Sequence, residues 1–372
     1  MCGICGTFSI GNLSPVSVKL LSDMNRTMIH RGPDDEGYYI DGPAGLAMRR
    51  LSIIDLESGR QPLCNEDSSI WTVFNGEIYN YQELRKDLVK RGHTFRTRSD
   101  TEVIVHLYEE HGNRCVSYLN GMFAFAIWDS KTKQMVVARD RLGIKPLFYC
   151  LDPKGNFFFA SEIKALLKTS VNRSPDLQAL YDYTSLMYTP TPSTAFLAIK
   201  KLEPATTLSC SLDGLTQKSY WDIPTPNEGE EDYSKASFEE EIINLIEKSV
   251  SRQMVSDVPI GALLSAGLDS TTISAIMARK LNAPLKTFTI GFAQKSYDES
   301  SEARFVAQSI GTEHFEKIIN PSMIGPIGEL LAFFDEPFAD YSAIPTYIVS
   351  KMAAEQVRVA LTGDGGDEIF AG

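Results

Sequence analysis

The chain has 372 residues, 43% of them hydrophobic and 23% charged, which is the composition of a globular protein with about two to three domains. Its net charge of −12 argues against binding to nucleic acid or to anionic membranes, because both need clustered Lys and Arg. The longest apolar run, residues 122–128, is too short to span a bilayer, and the N-terminus lacks the pattern of a signal peptide. We therefore expect a cytoplasmic protein whose six cysteines are mostly free thiols.

From Cys2 to about Trp221, short runs of β-branched and aromatic residues alternate with turn residues. This pattern predicts antiparallel hairpins interrupted by a few helices, and therefore an α+β layered domain. The clearest predicted strands are 70–74, 122–129, 135–139, 147–151 and 157–161.

Two helices are predicted in this part from their N-terminal signals. One begins at Ser14, with Pro15 at its first position, and ends near His30. The other follows the capping box at residues 99–102 and ends near His111.

Residues 222–236 are rich in Pro, Gly and acidic residues, and predict a linker between a domain of residues 2–221 and one of residues 237–372. After the linker, strands and helices alternate, which predicts an α/β domain with a parallel sheet covered by helices. The predicted elements are a helix at 238–254, a strand at 258–264, a helix at 270–281, a strand at 285–290, a helix at 299–310 and strands at 314–319 and 357–361.

Cys2 follows the initiator methionine, and a small residue at this position permits removal of Met1. The residue then carries both a thiol and an α-amine, whose ordinary pKa of about 7.7–8.0 suits a base near neutrality. Its thiolate could attack a substrate amide, form a thioester and release ammonia. A cysteine at position 2 is more often incidental, and residues 2–5 also match the redox pattern C-x-x-C. That redox pattern belongs where a strand turns into a helix, whereas a strand-like segment follows here.

Four further motifs accompany Cys2 in a fixed order. They are HRGPD at 30–34, RLSIID at 50–55, FNGEIYN at 74–80 and SDTE at 99–102. Together they resemble the class II (N-terminal nucleophile) glutamine amidotransferases. This resemblance implies an N-terminal nucleophile (Ntn) hydrolase sandwich in which Cys2 is catalytic.

The resemblance assigns a role to each motif residue, and the residue types suit these roles. Arg50 would pair with the α-carboxylate of glutamine, and Asp100, assisted by Glu77, would bind its α-ammonium. The side-chain amide of Asn75 and the backbone N–H of Gly76 would form the oxyanion hole. Taken singly, each has a structural alternative, since Asn-Gly is a common hairpin turn and a lone arginine is usually a surface cation.

A small-residue loop, SAGLDS at 265–270, follows the buried strand 258–264 and precedes a helix. Such a loop exposes backbone N–H groups at the positive end of a helix, which suits phosphate. The P-loop pattern does not fit, because Leu268 stands where that pattern needs lysine. A tight strand-to-helix turn is the structural alternative.

The loop resembles the pyrophosphate-binding SGGxDS motif of ATP pyrophosphatases, with Ala266 in place of a glycine. The resemblance implies that ATP is cleaved between its α and β phosphates and that Mg²⁺ is bound by Asp269. The implied ATP-binding residues of the loop are Ser265, Gly267, Asp269 and Ser270.

Two later segments fit the same family. TFTIG at 287–291 ends a strand, and the family places adenine contacts at positions matching Leu263 and Ile290. In TGDGGDE at 362–368, the resemblance implies that Thr362 and Gly363 contact the nucleotide. It implies Asp367 as the second Mg²⁺ ligand. Asp364 would orient or activate the reacting amine. An acidic glycine-rich turn without function is the alternative.

Over its whole length the chain resembles the glutamine-hydrolysing asparagine synthetase family, including EPF at 336–338 and YSAIP at 341–345. The resemblance implies glutamine, aspartate and ATP as substrates, Mg²⁺ as cofactor and a homodimer as an assembly common in the family. Two alternatives stay open: amidation of another carboxylate, and a non-catalytic module that senses glutamine and nucleotide. Because the family's synthetase domain continues well beyond a position matching Gly372, we expect this domain to be incomplete, with glutaminase activity retained and full synthetase activity lost.

Overall fold

A computed structural model describes residues 1–10, 14–225, 235–320 and 327–370. The chain divides into two compact units: residues 1–224 with 335–339, and residues 225–334 with 340–372. Most of the expected linker at 222–236 lies outside the described residues. None of the helices in the described ranges is long and apolar enough to cross a membrane.

The first unit contains twelve of the described strands and five of the described α-helices. The strands are β1 (Gly3–Ser9), β2 (Asp35–Asp41), β3 (Ala44–Arg50), β4 (Leu63–Cys64), β5 (Ile70–Ile78), β6 (Gly121–Asp129), β7 (Gln134–Arg139), β8 (Phe148–Leu151), β9 (Asn156–Ala160), β10 (Ile199–Lys201), β11 (Thr206–Ser211) and β12 (Gly214–Ser219). The helices are α1 (Val18–Arg26), α2 (Tyr81–Lys90), α3 (Glu102–His111), α4 (Ile163–Leu166) and α5 (Leu177–Leu186).

These strands form two antiparallel six-stranded sheets, in the orders β10-β8-β9-β1-β3-β2 and β12-β11-β7-β6-β5-β4. Their inner faces share one hydrophobic core, to which β1 contributes Ile4 and Phe8 and β6 contributes Trp128. All three side chains are fully buried, and burial of a side chain of this size stabilises the fold by about 1.5–3 kcal/mol. The two sheets therefore pack face to face.

Helices cover both outer faces. On the first sheet, Leu21 and Met24 of α1 pack over Cys5, which points away from the inner core because side chains alternate along β1. On the second sheet, Val103 and Leu107 of α3 belong to a separate core cluster. The unit is thus a four-layer α/β/β/α sandwich, and the predicted Ntn hydrolase fold is confirmed.

Both N-terminal helix signals were placed wrongly. Helix α1 begins after Ser17, whose side-chain oxygen accepts a hydrogen bond from the Leu20 N–H at 3.3 Å, and ends at Arg26 rather than near His30. The predicted cap, Ser14, lies before the helix because the N–H of Val16 donates to the Gly42 carbonyl at 2.9 Å. This hydrogen bond holds Val16 against the loop between β2 and β3.

The capping box at residues 99–102 does not form either. Helix α3 has Thr101 at its N-cap position without a side-chain cap. The Glu102 carboxylate instead accepts hydrogen bonds from the backbone N–H groups of Arg96 and Thr97, both at 2.7 Å. The predicted end of this helix at His111 is correct.

Strand β5 is longer than predicted and runs through the FNGEI sequence. Asn75 and Gly76 pair with Ala124 and Phe123 of β6, so the Asn-Gly pair is not a hairpin turn. A Cβ atom at Gly76 would lie 2.1 Å from the Met122 carbonyl oxygen, which explains why the strand needs glycine there. The predicted strand ended too early because Asn and Gly are ordinarily depleted in strands.

The second unit is built from alternating helices and parallel strands, as predicted. Its elements are α6 (Lys235–Gln253), β13 (Ile260–Leu263), α7 (Leu268–Lys280), β14 (Lys286–Phe292), α8 (Ser300–Ile310), β15 (Glu313–Ile319), α9 (Ile327–Leu331), α10 (Ala343–Ala354), β16 (Val359–Leu361) and α11 (Gly366–Phe370). The strands form one parallel sheet in the order β15-β14-β13-β16.

Helices cover both faces of this parallel sheet. Ile276 and Met277 of α7 pack with Ala262 of β13 on one face, and Ala353 of α10 packs with Phe288 of β14 in a separate cluster. Both faces are therefore apolar, which is why the strands appear in the sequence as continuous apolar runs rather than as alternating ones.

A five-residue segment from late in the sequence, residues 335–339, belongs to the first unit. The Asp335 carboxylate accepts a hydrogen bond from the Lys164 backbone N–H at 3.0 Å. The Glu336 carboxylate lies 2.6 Å from Lys201 Nζ, and the Ala339 N–H donates to the Met187 carbonyl at 3.2 Å. No local sequence pattern indicates that residues 335–339 belong to the first unit.

Candidate active sites

Cys2 lies immediately before β1, which runs between β9 and β3 in the first sheet. Its Sγ accepts a hydrogen bond from the Leu51 N–H at 3.4 Å and faces the Leu51 carbonyl at 3.7 Å. Burial raises the pKa of the Cys2 thiol, and the Leu51 backbone contact opposes this effect. The thiol therefore needs a nearby base to become a thiolate.

Two charged side chains hold the backbone of Cys2 in place. Arg31 Nε donates a hydrogen bond to the Cys2 carbonyl at 2.9 Å, and Arg31 Nη1 lies 3.1 Å from Glu162 Oε1. The same oxygen of Glu162 contacts His30 Nε2 at 2.9 Å. Although burial opposes ionisation, the hydrogen bonds from His30 and Arg31 lower the pKa of Glu162 to about 2. Glu162 is thus a stable anion that orients Arg31.

The Arg50 side chain is buried, with 4% of its surface exposed, and is not the surface cation of the alternative interpretation. Its Nη2 donates to the backbone carbonyls of Ile54, at 3.1 Å, and Asp55, at 2.7 Å. The guanidinium therefore fixes the 54–56 loop, and its electrostatic effect also reaches the Cys2 thiol. Pairing of Arg50 with the α-carboxylate of glutamine stays a prediction. Such pairing would have to occur while Arg50 keeps its hydrogen bonds to these two carbonyls.

Asn75 is completely buried on β5, yet neither its side-chain oxygen nor its side-chain nitrogen has a hydrogen-bond partner. An unsatisfied buried amide costs about 1–3 kcal/mol, and such groups concentrate where a ligand will supply the partner. The next two residues along the strand are Gly76 and Glu77, and Glu77 acts electrostatically on Cys2. An amide donor with no partner thus lies on the strand that faces the nucleophile.

Asp100, which is buried, and Glu77, which is half-buried, form a pair of carboxyl groups that act on each other electrostatically. Burial first, and then the neighbouring Asp100, raise the pKa of Glu77 well above its ordinary value. Burial also raises the pKa of Asp100 to about 6, against the hydrogen bond that its Oδ2 accepts from the Ile78 N–H at 2.8 Å. A ligand cation would relieve this repulsion, which suits the α-ammonium group of an amino acid.

The sequence interpretation missed three residues of this site. Leu51 lies within the RLSIID motif but was not assigned a role, whereas Glu162 and Lys145 belong to no motif. Lys145 is buried, its pKa is lowered by burial, and it interacts electrostatically with Glu77 and Cys2. Glu162 is separated from Arg31 by 131 positions, so no local pattern could have indicated the pair.

In the second unit, two of the predicted nucleotide-binding segments follow the carboxyl ends of β13 and β16, and the third, residues 287–291, lies within β14. The chain proceeds from β13 to β14 and β15 on one side and then returns to place β16 on the other side of β13. The loops after β13 and β16 thus flank a topological switch point, where open α/β sheets bind ligands. These loops are SAGLDS at 265–270 and TGDGGDE at 362–368.

The two loops are in close contact. A Cβ atom at Gly366 would lie 2.0 Å from Asp269 Oδ2, and one at Gly363 would lie 2.9 Å from the Ser270 backbone nitrogen. Both glycines are therefore required by the packing of one loop on the other. Asp269 consequently lies beside the start of α11, and Asp367 is the next residue along that helix.

Hydroxyl groups shape the inside of the first loop. Ser265 Oγ and Ser270 Oγ lie 2.9 Å apart, and the Gly267 N–H donates to Ser265 Oγ at 3.2 Å. Gly267 caps the N-terminus of the 13-residue helix α7. In the second loop the Thr362 hydroxyl donates to Asp364 Oδ2 at 2.9 Å, so Asp364 is held by its own loop. Leu263 and Ile290 lie at the carboxyl ends of β13 and β14.

Comparisons with known proteins agree with this division. Residues 1–221 match the family model described as "Glutamine amidotransferase domain", and residues 241–372 match the one described as "Asparagine synthase". The glutamine-hydrolyzing asparagine synthetase 1 of Bacillus subtilis is 41% identical over 377 residues, covering all of this chain and 59% of that protein. The "Putative asparagine synthetase 2", glutamine-hydrolyzing, of Methanocaldococcus jannaschii is 38% identical over 399 residues, covering all of this chain and 75% of that protein.

The sandwich with its N-terminal cysteine is thus a class II glutamine amidotransferase domain, and an α/β domain of the asparagine synthase type follows it. The chain belongs to the glutamine-hydrolysing asparagine synthetase family. It spans about three fifths of the length of the Bacillus subtilis relative.

Proposed function

We propose that the first unit hydrolyses glutamine and that the second unit binds ATP to activate a carboxylate, which is aspartate by analogy with the names of the relatives. The observation that carries the first part is the buried and unpartnered amide of Asn75 on the strand that faces Cys2. A structural asparagine would have its amide bonded to the protein. The side-chain N–H of Asn75 is instead available to donate a hydrogen bond to a developing negative charge.

The proposed reaction begins when removal of Met1 exposes the α-amine of Cys2. This amine takes the proton of the Cys2 thiol, and the thiolate attacks the side-chain amide carbon of glutamine. The negative oxygen of the tetrahedral intermediate accepts hydrogen bonds from the Asn75 amide and the Gly76 N–H. The amine returns its proton to the departing nitrogen, which leaves as ammonia. Water, deprotonated by the same amine, then cleaves the thioester to release glutamate.

Binding of glutamine is assigned to the groups around this centre. The Glu77 and Asp100 carboxylates bind the α-ammonium, whose positive charge offsets their mutual repulsion. Arg50 contributes positive charge toward the α-carboxylate while it keeps its bonds to the 54–56 loop. Both charged ends of the substrate are then fixed, and its neutral amide is directed at Cys2.

For the second unit, we propose that ATP binds with its phosphates at the 265–270 loop and the N-terminus of α7. Nucleotide contacts are assigned to Leu263, Ser265, Gly267, Asp269, Ser270, Ile290, Thr362 and Gly363. Asp269 and Asp367 fit Mg²⁺, because carboxylates from two touching loops can share a cation with substrate phosphates. Mg²⁺ there would neutralise the pyrophosphate leaving group. Asp364 orients the attacking amine.

The aspartate carboxylate would displace pyrophosphate from ATP to give an acyl adenylate, from which ammonia displaces AMP to give asparagine. Because the chain spans three fifths of the Bacillus subtilis relative, this synthesis is proposed for the protein over the relatives' full length. A cytoplasmic location and a homodimer also stay predictions.

Replacement of the nucleophile tests the first part. Cys2→Ala should reduce release of ammonia from glutamine to background, whereas Cys5→Ala, at a fully buried structural cysteine on the strand that follows Cys2, should keep it. Mass spectrometry of the active protein should show that Met1 is absent. Equal glutaminase activity in the wild type and Cys2→Ala, or full activity with Met1 retained, would contradict the proposal. ATP binding that is weakened by Asp269→Asn would support the second part, and unchanged binding would oppose it.

A further inference from the structure

Four side chains far along the chain from Cys2 converge on the outer side of the first unit. They are Glu66 in the turn after β4, His93 just after α2, and His106 and Glu109 on α3. Each offers one nitrogen or oxygen atom, and these four atoms lie within 4.8 Å of one another. None of the four belongs to the glutamine or nucleotide sites described above. We refer to them as the His₂Glu₂ cluster.

The distances within the cluster fit a tetrahedral metal. His93 Nδ1 lies 3.4 Å from Glu66 Oε1 and 3.5 Å from Glu109 Oε2. His106 Nδ1 lies 3.4 Å from Glu66 Oε2 and 3.0 Å from Glu109 Oε2. Bonds of about 2.0–2.1 Å from a central Zn²⁺ place tetrahedral ligand atoms about 3.3–3.4 Å apart. The four histidine–glutamate distances thus lie near the tetrahedral spacing, and the four ligand atoms, all within 4.8 Å of one another, would draw closer around a bound Zn²⁺.

The opposite nitrogen of each imidazole faces a further carboxylate. His93 Nε2 lies 3.2 Å from Glu110 Oε1, and His106 Nε2 lies 3.7 Å from Glu102 Oε1. Metal-bound histidines almost always direct their second nitrogen at a carboxylate, carbonyl or water, which fixes the tautomer. For His93 this arrangement favours a proton on Nε2, which leaves the Nδ1 lone pair on the side of the cluster. His106 Nε2 forms no hydrogen bond, and an ion bound at His106 Nδ1 would set the same tautomer there.

Neutral donors orient the two cluster carboxylates. Glu66 Oε1 accepts a hydrogen bond from the Thr94 N–H at 2.8 Å, and Glu109 Oε1 accepts one from Asn65 Nδ2, also at 2.8 Å. The Glu109 Oε2 atom is thereby directed at both histidines. These supporting bonds fix the carboxylates without a cation from the protein.

The cluster also has a dry side and an open side. His106 is fully buried and packs against the Phe95 ring at a centroid distance of 4.5 Å, whereas the Glu66 side chain is 34% exposed. An ion can thus enter from solvent on the carboxylate side while the apolar side limits water. Imidazole with carboxylate ligands suits Zn²⁺ better than Mg²⁺ or Ca²⁺, which take oxygen ligands.

We propose that the His₂Glu₂ cluster is a structural Zn²⁺ site with four protein ligands. Bound Zn²⁺ would join the turn after β4, the residues after α2 and helix α3. The segment between His93 and His106 carries Asp100, so the ion would hold in place the segment that the glutamine site uses. This proposal does not depend on the glutaminase mechanism.

The test uses the full chain, stripped with a chelator and then offered Zn²⁺ alone. The wild type should retain one Zn²⁺ per chain after gel filtration, measured by elemental mass spectrometry, and its Tm should rise by several degrees with Zn²⁺. Co²⁺ in its place should give the strong visible absorption of tetrahedral coordination. The double variant His93→Gln/Glu109→Gln changes two partly exposed ligands, and it should bind Zn²⁺ at least a hundredfold more weakly.

His111→Gln is the matched control, because His111 lies on the same helix, contacts Glu110 at 3.4 Å and is outside the cluster. This variant should bind Zn²⁺ as the wild type does. Equal Zn²⁺ affinity in the wild type and the double variant would overturn the proposal, as would a crystal structure with Zn²⁺ whose anomalous peak lies elsewhere. Should the double variant fail to fold, His93→Gln alone, measured by Co²⁺ absorption, gives the same decision.

Discussion

Arg31 donates a hydrogen bond from its guanidinium to the backbone carbonyl of Cys2, so a side chain from the HRGPD motif holds the proposed nucleophile by its main chain. Glu162, which hydrogen-bonds to Arg31 and His30, in turn fixes this arginine. The reactive thiol is therefore positioned by two residues that never touch it.

This arrangement predicts a positioning role for Glu162. We expect Glu162→Gln to lower kcat for glutamine hydrolysis about 10- to 100-fold, because loss of a hydrogen bond to a charged group costs about 1.5–3 kcal/mol. KM for glutamine should change little, since Glu162 does not face the substrate's charged ends. Glu57→Gln, at an exposed position, should leave both constants unchanged. A rise in KM with unchanged kcat would contradict the role.

The unpartnered amide of Asn75 predicts a catalytic defect without loss of stability. Asn75→Ala should lower kcat by about 10²–10³-fold, the usual effect of removing one oxyanion donor. Its Tm should stay equal to that of the wild type or rise, because no internal hydrogen bond is lost.

Asn80→Ala is the informative contrast, measured by the same glutaminase assay and thermal melt. Its side chain bonds the Tyr118 carbonyl and the Asn120 N–H, both at 2.9 Å. This variant should lose about 1 kcal/mol of stability and keep its kcat. If Asn75→Ala instead lowers Tm and spares kcat, Asn75 is structural.

The Glu77–Asp100 pair predicts a stability that depends on pH. Because the pKa of Asp100 rises from 3.8 to about 6 on folding, the folded state binds more protons than the unfolded state within that window. Stability therefore falls as pH rises through the window, by at most about 3 kcal/mol. Asp100→Asn should raise Tm at pH 7, have little effect near pH 4, and raise KM for glutamine strongly.

Thermal melts at both pH values, together with steady-state kinetics, check this expectation. Asp87→Asn changes an exposed carboxylate on α2 and should show no such pH-dependent gain. A Tm for Asp100→Asn below that of the wild type at pH 7 would show that the hydrogen bond from Ile78 outweighs the repulsion.

The ion pair between Lys201 and Glu336 predicts that residues 335–339 stabilise the rest of the first unit. Lys201 Nζ lies 2.6 Å from Glu336 Oε1, and both side chains are mostly buried, with 14% and 18% exposed. Lys201→Met should destabilise the first unit by about 2 kcal/mol, since it leaves the Glu336 carboxylate without its cation. Hydrogen exchange should accelerate at the backbone amides of Ala195 and Ala339, which donate to Glu336 and Met187.

The neighbouring residue on β10 supplies the control. Lys200 lies 3.7 Å from Asp176 and is about one third exposed, and such pairs contribute little. Lys200→Met should therefore leave Tm and exchange unchanged. Equal rates of hydrogen exchange in Lys201→Met and the wild type would contradict this stabilising effect.

The sequence predicted those features that local patterns determine. Alternating and continuous apolar runs located the strands that became β6, β7, β9 and β14, because burial of one or both faces imposes the pattern. Of the motif residues, Glu77 acts electrostatically on Cys2 and Asp100 acts on Glu77, whereas the roles assigned to Asn75, Glu77 and Asp100 stay predictions. The loops holding Asp269 and Gly366 also meet, since both follow parallel strands at one edge of a sheet.

Features that depend on distant contacts could not be predicted. Ser14 and Ser17 are equally good caps, and only the bond of Val16 to the Gly42 carbonyl decides between them. The expected capping box does not form, because the Glu102 carboxylate accepts a hydrogen bond from the Thr97 N–H in the preceding segment. The His₂Glu₂ cluster escaped notice because Glu66 is far in sequence from the other three ligands and their spacing matches no common metal motif.

Residues 335–339 have a consequence for any attempt to dissect this protein. A polypeptide cut within 226–234 would keep every residue of the glutamine site and still lack the acids that Lys164 and Lys201 bind. The unit to which glutaminase activity is assigned is accordingly not a contiguous stretch of sequence. A stand-alone version would need the pentapeptide DEPFA grafted back, or apolar replacements for the two lysines.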